Sequence, residues 1–278
     1  MIGSESVQSY KVEKFGSWIL VDELPFPCEI HTERFKSMLP VNPNVYRVFV
    51  NSTEPQPVCQ PIEHVIQYHD RFDLILTKTP EILEKCPNSR LFLFGDSFVY
   101  PLQPKQKEFS VSFLCTSRRG YLEGYEHRHE LWARQNEITI PKKFWSSRRN
   151  PVDTSRLLPP YPNDMDKIHL FDSMFSICPE NHREPNYFTE KIVDCFWTKT
   201  IPLYWGCPNL KEYFDVRGVI RYSSVDELIH ICNNLTEETY RNMLPFVEDN
   251  WKRCHKYCEK NIHVRLKEAI VKYKYGVW

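Results

Sequence analysis

The sequence lacks a net charge, because 36 lysines and arginines are balanced by 36 aspartates and glutamates. This balance argues against nucleic acid or an anionic membrane as the main partner. The sequence also lacks a signal peptide at its start and an apolar run approaching the roughly 18 residues that span a membrane. We therefore expect a soluble, cytoplasmic protein without an integral membrane segment.

Glycine is scarce, with 8 residues against 21 prolines, so we expect many loops fixed by proline and few turns built on glycine. No glycine-rich phosphate-binding loop is present. The ten cysteines contain no C-x-x-C pair, and several lie inside apolar runs. Buried free thiols are therefore favoured over a disulfide framework or a zinc site. Cys254 and Cys258 could supply at most two metal ligands.

A chain of 278 residues suits two domains of about 130 residues each. Apolar segments alternate between strand and helix spacing, which predicts an α/β fold with parallel sheets. We place one α/β domain at residues 1–150 and a second at residues 151–260, followed by a C-terminal segment at residues 261–278. The segment Lys142–Asp172, which is rich in proline, is interpreted as containing the linker.

Individual elements follow from local patterns. In the N-terminal half, we predict a first strand at Trp18–Val21, a short helix at Glu33–Met38 and a strand at Tyr46–Val50. A helix is expected at Val225–Asn233. The chain from Thr236 to about Tyr273 should be largely helical and broken near Pro245, with Thr236 as a cap that lacks a full capping box.

The stretch from Phe175 to Gly206 predicts a strand, a polar loop, a helix and a second strand. In such a unit, ligands bind beyond the carboxyl ends of the strands. A helix N-terminus offers unpaired N–H groups to phosphate. Lys191 adds a cation, Glu190 suits ribose hydroxyls, and Asn181 and Tyr187 offer neutral hydrogen bonds. Together these would make a nucleotide-diphosphate site, and the alternative is a capped helix with a solvated Glu–Lys pair.

The run E-N-x5-Y-x-T-E-K, followed nine residues later by I-P-x-x-x-G, resembles the donor-binding signature of the α-1,3-fucosyltransferase family. The residues that carry the resemblance are Glu180, Asn181, Tyr187, Thr189, Glu190, Lys191, Ile201, Pro202 and Gly206. The resemblance implies the GT-B fold, with two facing Rossmann-like domains. Residues 1–150 would then be the Rossmann-like acceptor domain, and residues 151–260 would be the nucleotide-sugar-binding domain. Residues 261–278 should form the helix that returns to the N-terminal domain in this fold. The resemblance also implies transfer of fucose from GDP-fucose with inversion and without a metal.

Two further residues gain candidate roles from the resemblance. The loop Asn51–Pro55 is similar to the family's N-x-E-x-P loop with the glutamate shifted by one residue, so Glu54 would be the general base. Arg128 follows a V-S strand in the place where a family arginine binds the donor phosphates. The alternatives are an ordinary surface glutamate before a proline turn and an arginine on a solvated helix face.

The donor sugar and the metal requirement each leave an alternative. Fucose is the first choice of sugar, and xylose is the second because the bulky Trp197 and Trp205 could narrow the pocket. The pair Asp164 and Asp166 is of the kind that holds a divalent cation on a diphosphate in metal-dependent glycosyltransferases. It precedes a strand instead of following one, so we expect no metal.

The sequence thus predicts an inverting, metal-independent glycosyltransferase with no cofactor. Its partners would be a nucleotide-sugar donor, of the GDP-fucose or UDP-xylose type, and a glycan acceptor that is modified at a hydroxyl. Glu54, Arg128 and Lys191 would be the catalytic residues. The alternative is a glycan- or nucleotide-binding protein that has the same fold and no turnover.

Overall fold

A computed structural model describes residues 8–16, 18–19, 21–36, 42–104 and 106–277. The chain forms two compact units, of which the first lies within residues 1–94 and 260–278 and the second within residues 95–259. In the described residues, no helix is both long and apolar enough to cross a membrane. The ten cysteines are buried free thiols, as predicted.

The first unit is built on a five-stranded sheet in which all neighbouring strands are parallel. Its strand order is β2-β4-β5-β6-β7, and β1 and β3 form a separate antiparallel pair. The strands are β1 (Tyr10–Lys11), β2 (Glu13–Phe15), β3 (Glu23–Leu24), β4 (Cys28–Thr32), β5 (Tyr46–Asn51), β6 (Leu74–Thr77) and β7 (Ser89–Leu91), with helices α1 (Ile62–Gln67) and α2 (Pro80–Lys85).

Strand β5 lies in the middle of this sheet. Every one of its residues is buried, as expected of a parallel strand that is covered on both faces. Val48 and Val50 belong to one apolar cluster, and Phe49 belongs to a second. Since successive strand side chains point to opposite faces, the two clusters lie on opposite sides of the sheet.

The second unit contains another parallel sheet of five strands, in the order β12-β11-β10-β8-β9. Its strands are β8 (Glu108–Cys115), β9 (Lys142–Ser146), β10 (Ser173–Pro179), β11 (Ile201–Trp205) and β12 (Ile220–Arg221). Its helices are α3 (Glu123–Arg134), α4 (Glu190–Trp197), α5 (Val225–Asn233) and α6 (Glu237–Cys258).

The structure places the change of unit at residues 94 and 95, earlier than the boundary at residues 150 and 151 that the sequence suggested. Strands β8 and β9 pair with the second sheet, where Val111 lies beside Phe175. The proline-rich segment resembles a linker in composition, but it forms short 3-10 turns within the second unit, between β9 and β10.

The last helix, α7 (Ile262–Lys274), belongs to the first unit, where Ile262, Leu266 and Ile270 join the apolar cluster that includes Val48. The predicted break near Pro245 is wrong, because α6 continues through that proline and ends at Cys258. The capping box that seemed incomplete is present. Thr239 takes the place of the usual Glu or Gln, and its hydroxyl accepts a hydrogen bond from the backbone N–H of Thr236.

Two predicted elements at the N-terminal end fall partly on residues outside the described ranges. These are the strand Trp18–Val21, which includes residue 20, and the helix Glu33–Met38, which includes residues 37 and 38. The described residues of both segments are neither strand nor helix. Glu33 has a φ of 58°, which is incompatible with an α-helix.

Candidate functional site

The strand order places a topological switch point between β8 and β10. From β8 the chain moves to β9 at one edge of the sheet, whereas from β10 it moves through β11 to β12 at the other. Because all strands are parallel, Thr116, Ser147 and Glu180 follow their strand ends at one edge of the sheet. Ligands of open α/β sheets bind at such a crevice.

The N-terminus of α4 is fixed at this edge by a buried glutamate. Thr189 is the N-cap, and its side chain accepts from the backbone N–H of Lys191. Glu180 is 0% exposed and accepts hydrogen bonds from the Thr189 backbone N–H at 2.8 Å and the Thr189 hydroxyl at 2.7 Å. The hydroxyl of Tyr204 approaches the same carboxylate at 3.4 Å. Glu180 therefore holds the loop between β10 and α4 against the first helical turn.

Lys191 is shared between two carboxylates at the start of α4. Its Nζ lies 3.2 Å from Glu180 and 3.5 Å from Glu190, and it donates to the Thr189 hydroxyl at 2.8 Å. Burial alone would lower the pKa of Lys191, but Glu180 and Glu190 outweigh it and raise that pKa. The side chain therefore remains cationic at the helix N-terminus, where it adds to the positive end of the helix dipole.

Glu190 is buried, with 7% of its surface exposed, and lies near two cations. The Nζ of Lys167 is 2.7 Å from its Oε1, closer than the Nζ of Lys191. Burial acts to raise the pKa of Glu190, yet Lys167 and Lys191 together hold that pKa below its ordinary value. The carboxylate is therefore ionised and can accept hydrogen bonds from hydroxyl groups.

Arg128 is buried at 6% exposure and is held by main-chain carbonyls, since its guanidinium donates to Gly124 and Pro179. Among the described residues, no carboxylate lies within ion-pair distance of this guanidinium. The first turn of α3 approaches the Glu180–Asn181 loop so closely that a Cβ at position 124 would lie 2.1 Å from the Glu180 carbonyl oxygen. Glycine at position 124 is thus required to bring Arg128 to the end of β10.

These elements enclose a cavity of about 290 Å³, which we call the α4 cavity. Its basic residues outnumber its carboxylates by five to two. The remaining lining comes from the ends of β8, β9 and β10, the first turns of α3 and the segment before β10. The charged lining residues are Arg118, Arg128, Arg149, Lys167, Lys191, Glu190 and Asp194.

The structure brings together four of the residues predicted from the sequence, because Arg128, Asn181, Glu190 and Lys191 all line the α4 cavity. Tyr187 is 1% exposed and does not line it. Thr189 also lies outside the lining, although its hydroxyl binds both Glu180 and Lys191.

Glu54 belongs to the first unit and is exposed in the turn after β5. Its carbonyl oxygen accepts from the Lys78 ammonium at 2.9 Å. The loop that contains Glu54 is thereby anchored to the end of β6. Its role as a general base stays a prediction.

Four charged residues of the cavity were missed from the sequence, namely Arg118, Arg149, Lys167 and Asp194. Lys167 lies in the segment that was interpreted as a linker, so no strand or helix pattern placed it near a site. Asp194 lies four residues after Glu190, and this spacing puts both on one face of α4. The helical spacing could be read from the sequence, but the burial of Asp194 could not.

The aspartates of the D-x-D pair face arginines. Asp166 lies 3.6 Å from Arg148, and Asp164 lies 3.9 Å from Arg149. Asp166 also accepts from the backbone N–H of Tyr161 at 2.6 Å. Within the described ranges, no group of three or more His, Cys, Asp or Glu side chains is arranged to hold a metal ion.

The two tryptophans that suggested a narrow sugar pocket do not line the α4 cavity. Trp197 stacks on Trp251 with ring centroids 5.9 Å apart and donates to the Leu102 carbonyl at 2.8 Å. Trp205 stacks on His127 at 5.2 Å. Both rings therefore pack against other side chains of the second unit. The idea that they narrow the sugar pocket, which suggested xylose, is not supported by their positions.

Comparison with known proteins confirms the resemblance in part of the chain. An α-(1,3)-fucosyltransferase from Helicobacter pylori is 34% identical over 71 residues, which is 24% of this chain and 14% of that protein. No known protein-family profile matches the chain.

The fold matches solved structures over most of the chain. An α1,3-fucosyltransferase aligns with a TM-score of 0.54 at 16% identity, covering 90% of this chain and 77% of that one. The same kind of enzyme solved with GDP-fucose gives a TM-score of 0.51 at 18% identity, covering 78% and 68%. Sucrose-phosphate synthase from Thermosynechococcus elongatus gives 0.58 at 10% identity, covering 90% and 74%. The predicted GT-B fold is confirmed, and the chain is similar to α-1,3-fucosyltransferases.

Proposed function

We propose that the protein is a glycosyltransferase that moves one monosaccharide from a nucleotide-sugar donor to a hydroxyl of a glycan acceptor. The observation that carries this proposal is the α4 cavity. A helix N-terminus, Lys191 and a buried arginine, which has no carboxylate partner among the described residues, converge there at a topological switch point. This combination suits a diphosphate.

In this proposal, Arg128 and Lys191 bind the phosphates of the donor. The guanidinium of Arg128 cannot lose its proton and can bind two phosphate oxygens at once. Glu190, held ionised by Lys167, accepts hydrogen bonds from the ribose hydroxyls. Asn181, which lines the same cavity, donates or accepts a neutral hydrogen bond.

The reaction is proposed to proceed with inversion and without a metal. An acceptor hydroxyl loses its proton to a base, for which Glu54 is the candidate, and its oxygen attacks the anomeric carbon as the bond to the diphosphate breaks. Negative charge then grows on the leaving diphosphate. Arg128, Lys191 and the N-terminus of α4 stabilise that charge.

Fucose is the proposed sugar, because the curated relative is an α-(1,3)-fucosyltransferase and one similar structure contains GDP-fucose. Xylose stays the second choice. A pocket distinguishes one methylene by only about 1–3 kcal/mol, so few substitutions change a donor preference. The cytoplasmic location also stays a prediction.

The test is a nucleotide-release assay with GDP-fucose, UDP-xylose, UDP-glucose and UDP-galactose, each with a panel of oligosaccharide acceptors and excess EDTA. We expect GDP-fucose to give the fastest release, and EDTA to leave the rate unchanged. Arg128→Ala should reduce kcat/KM at least tenfold, since a hydrogen bond to a charged group contributes about 1.5–3 kcal/mol.

The matched control is Arg119→Ala, which removes an exposed arginine from the loop before α3 that does not line the cavity. A preference for UDP-glucose would refute fucose and leave the class of enzyme standing. A protein that binds none of these nucleotide sugars would refute the glycosyltransferase proposal. Activity that requires Mn²⁺ would refute the metal-independent mechanism.

A further inference from the structure

Asp194 is a completely buried carboxyl group in the lining of the α4 cavity. It lies one turn, about 5.4 Å, beyond Glu190 along the same face of α4. A carboxyl group in the wall of a cavity that suits a diphosphate is unexpected, because an ionised carboxylate repels phosphate. Its hydrogen bonds show how it is accommodated.

The two oxygens of Asp194 differ in their partners. Oδ1 accepts from the Ser97 hydroxyl at 2.7 Å and from the Phe98 backbone N–H at 3.0 Å. Oδ2 is buried and has no hydrogen-bond partner in the described part of the chain. Buried polar atoms nearly always have a partner, so an unpaired carboxyl oxygen on a residue that lines the cavity points to a ligand or a proton.

The buried position of Asp194 favours its neutral form. Burial is the main cause, and it raises the pKa of Asp194 to about 7, although Lys167 and the hydrogen bond from Ser97 act in the opposite direction. Glu190 adds to the rise, and from α6 the thiol of Cys254 faces the same carboxyl group. Since Lys167 is itself paired with Glu190 at 2.7 Å, its charge is only partly available to Asp194.

We propose that Asp194 is a further donor-binding residue that acts as a neutral carboxylic acid, with Oδ2–H donating a hydrogen bond to a phosphate oxygen of the nucleotide sugar. The inference rests on the proposed function of the α4 cavity. Only the neutral acid can donate such a bond, so above neutral pH, where free Asp194 is ionised, donor binding takes up a proton from solvent. A bound diphosphate also favours the neutral form through its charge.

The proposal is tested by isothermal titration calorimetry with GDP-fucose between about pH 6 and pH 8.5, in two buffers of different ionisation enthalpy. GDP-fucose is used because GDP carries a terminal phosphate that titrates near pH 6, which would add protons of its own. For the wild-type protein, we expect Kd to rise up to roughly tenfold per pH unit above neutrality, with proton uptake that approaches one per site.

Asp194→Asn is the matched variant, because its amide keeps the shape, accepts from Ser97 and donates to the ligand without titrating. We expect it to bind GDP-fucose with a Kd that is independent of pH and without proton uptake. Asp164→Asn, which removes an exposed carboxylate outside the α4 cavity, should titrate like the wild type.

Binding of GDP-fucose by the wild type at about pH 8 to 8.5 without proton uptake would overturn the inference, whether or not the Asp194 variant folds. Uptake that persists in a folded Asp194→Asn protein would overturn it as well, because another group would then be responsible. Failure of the wild type to bind GDP-fucose or GDP at any pH would overturn the proposed donor site, and this inference with it.

Discussion

Lys191 has a role in the fold, as the ion-pair partner of Glu180, and a proposed role in binding the donor, and the two can be tested separately. If Lys191 only bound a phosphate, Lys191→Ala would nearly abolish transfer and leave the fold intact. The structure changes that expectation, because Lys191 is the cation paired with Glu180, which is completely buried. A Lys191→Met substitution keeps the apolar stem and removes the charge, so Glu180 would be left as a buried carboxylate without its ion-pair partner.

Removal of one partner from a buried ion pair destabilises a protein by about 3–5 kcal/mol. We expect a value near 3 kcal/mol. Lys191 is 21% exposed, and Glu180 keeps its two hydrogen bonds from Thr189. In a unit of this size, about 3 kcal/mol corresponds to a Tm lower by about 6–12 °C.

The double variant Glu180→Gln with Lys191→Met separates the two roles. Glutamine can still bond to Thr189, and no charge is left unpaired, so most of the lost stability should return. Donor binding should not return, because the cation is still missing. The assays are thermal unfolding and calorimetry with GDP-fucose on all four proteins of the double-mutant cycle.

Two results would refute this reasoning. If Lys191→Met unfolds within about 1 °C of the wild type, the pair with Glu180 contributes little to stability. If the double variant binds GDP-fucose as tightly as the wild type, Lys191 has no part in donor binding. Glu180→Gln alone serves as the control for the hydrogen bonds to Thr189.

Three further predictions address the other residues of the proposed site. Arg128→Lys should recover less than half of the donor-binding free energy lost in Arg128→Ala, since a lysine cannot bind two phosphate oxygens at once; equal Kd values for wild type and Arg128→Lys would contradict this. The second prediction concerns Asp194, whose neutral form stabilises the fold fully below the ordinary aspartate pKa of 3.8. This stabilisation is lost as the pH rises to about 7. In urea unfolding, the free energy of unfolding of Asp194→Asn relative to the wild type should therefore rise by up to roughly 4 kcal/mol between pH 4 and pH 8. An unchanged difference between the two proteins would count against that pKa. Glu54→Gln should lower kcat roughly a hundredfold or more without altering the Kd of GDP-fucose, and an unchanged kcat would remove Glu54 as the base.

Local pattern was sufficient to predict the type of most elements, because hydrophobic periodicity and proline positions depend on neighbouring residues alone. Helix Val225–Asn233 has the predicted bounds, and the strand predicted at Tyr46–Val50 extends one residue further, to Asn51. The α/β class and the importance of the first turn of α4 followed from the same patterns.

Hydrophobic periodicity could not predict which strands belong to which sheet. Val111 and Phe175 are adjacent in the second sheet although many residues separate them in the chain. Nothing in the local pattern of β8 says which sheet it joins, and a run of prolines is equally compatible with a linker and with ordered turns. The error in the boundary then hid Lys167, which lies in that segment and pairs with Glu190.

The structure also assigns different tasks to the two cations that the sequence treated alike. Lys191 is paired with Glu180 and Glu190, so in the proposed function a phosphate would have to share it with the carboxylates that hold it in place. Arg128 is held by the carbonyls of Gly124 and Pro179, which orient a guanidinium without neutralising its charge. In the proposed function, a diphosphate would therefore meet uncompensated positive charge at Arg128 and at the N-terminus of α4. Lys191 joins these two elements, because it pairs with the same glutamate that fixes the N-cap.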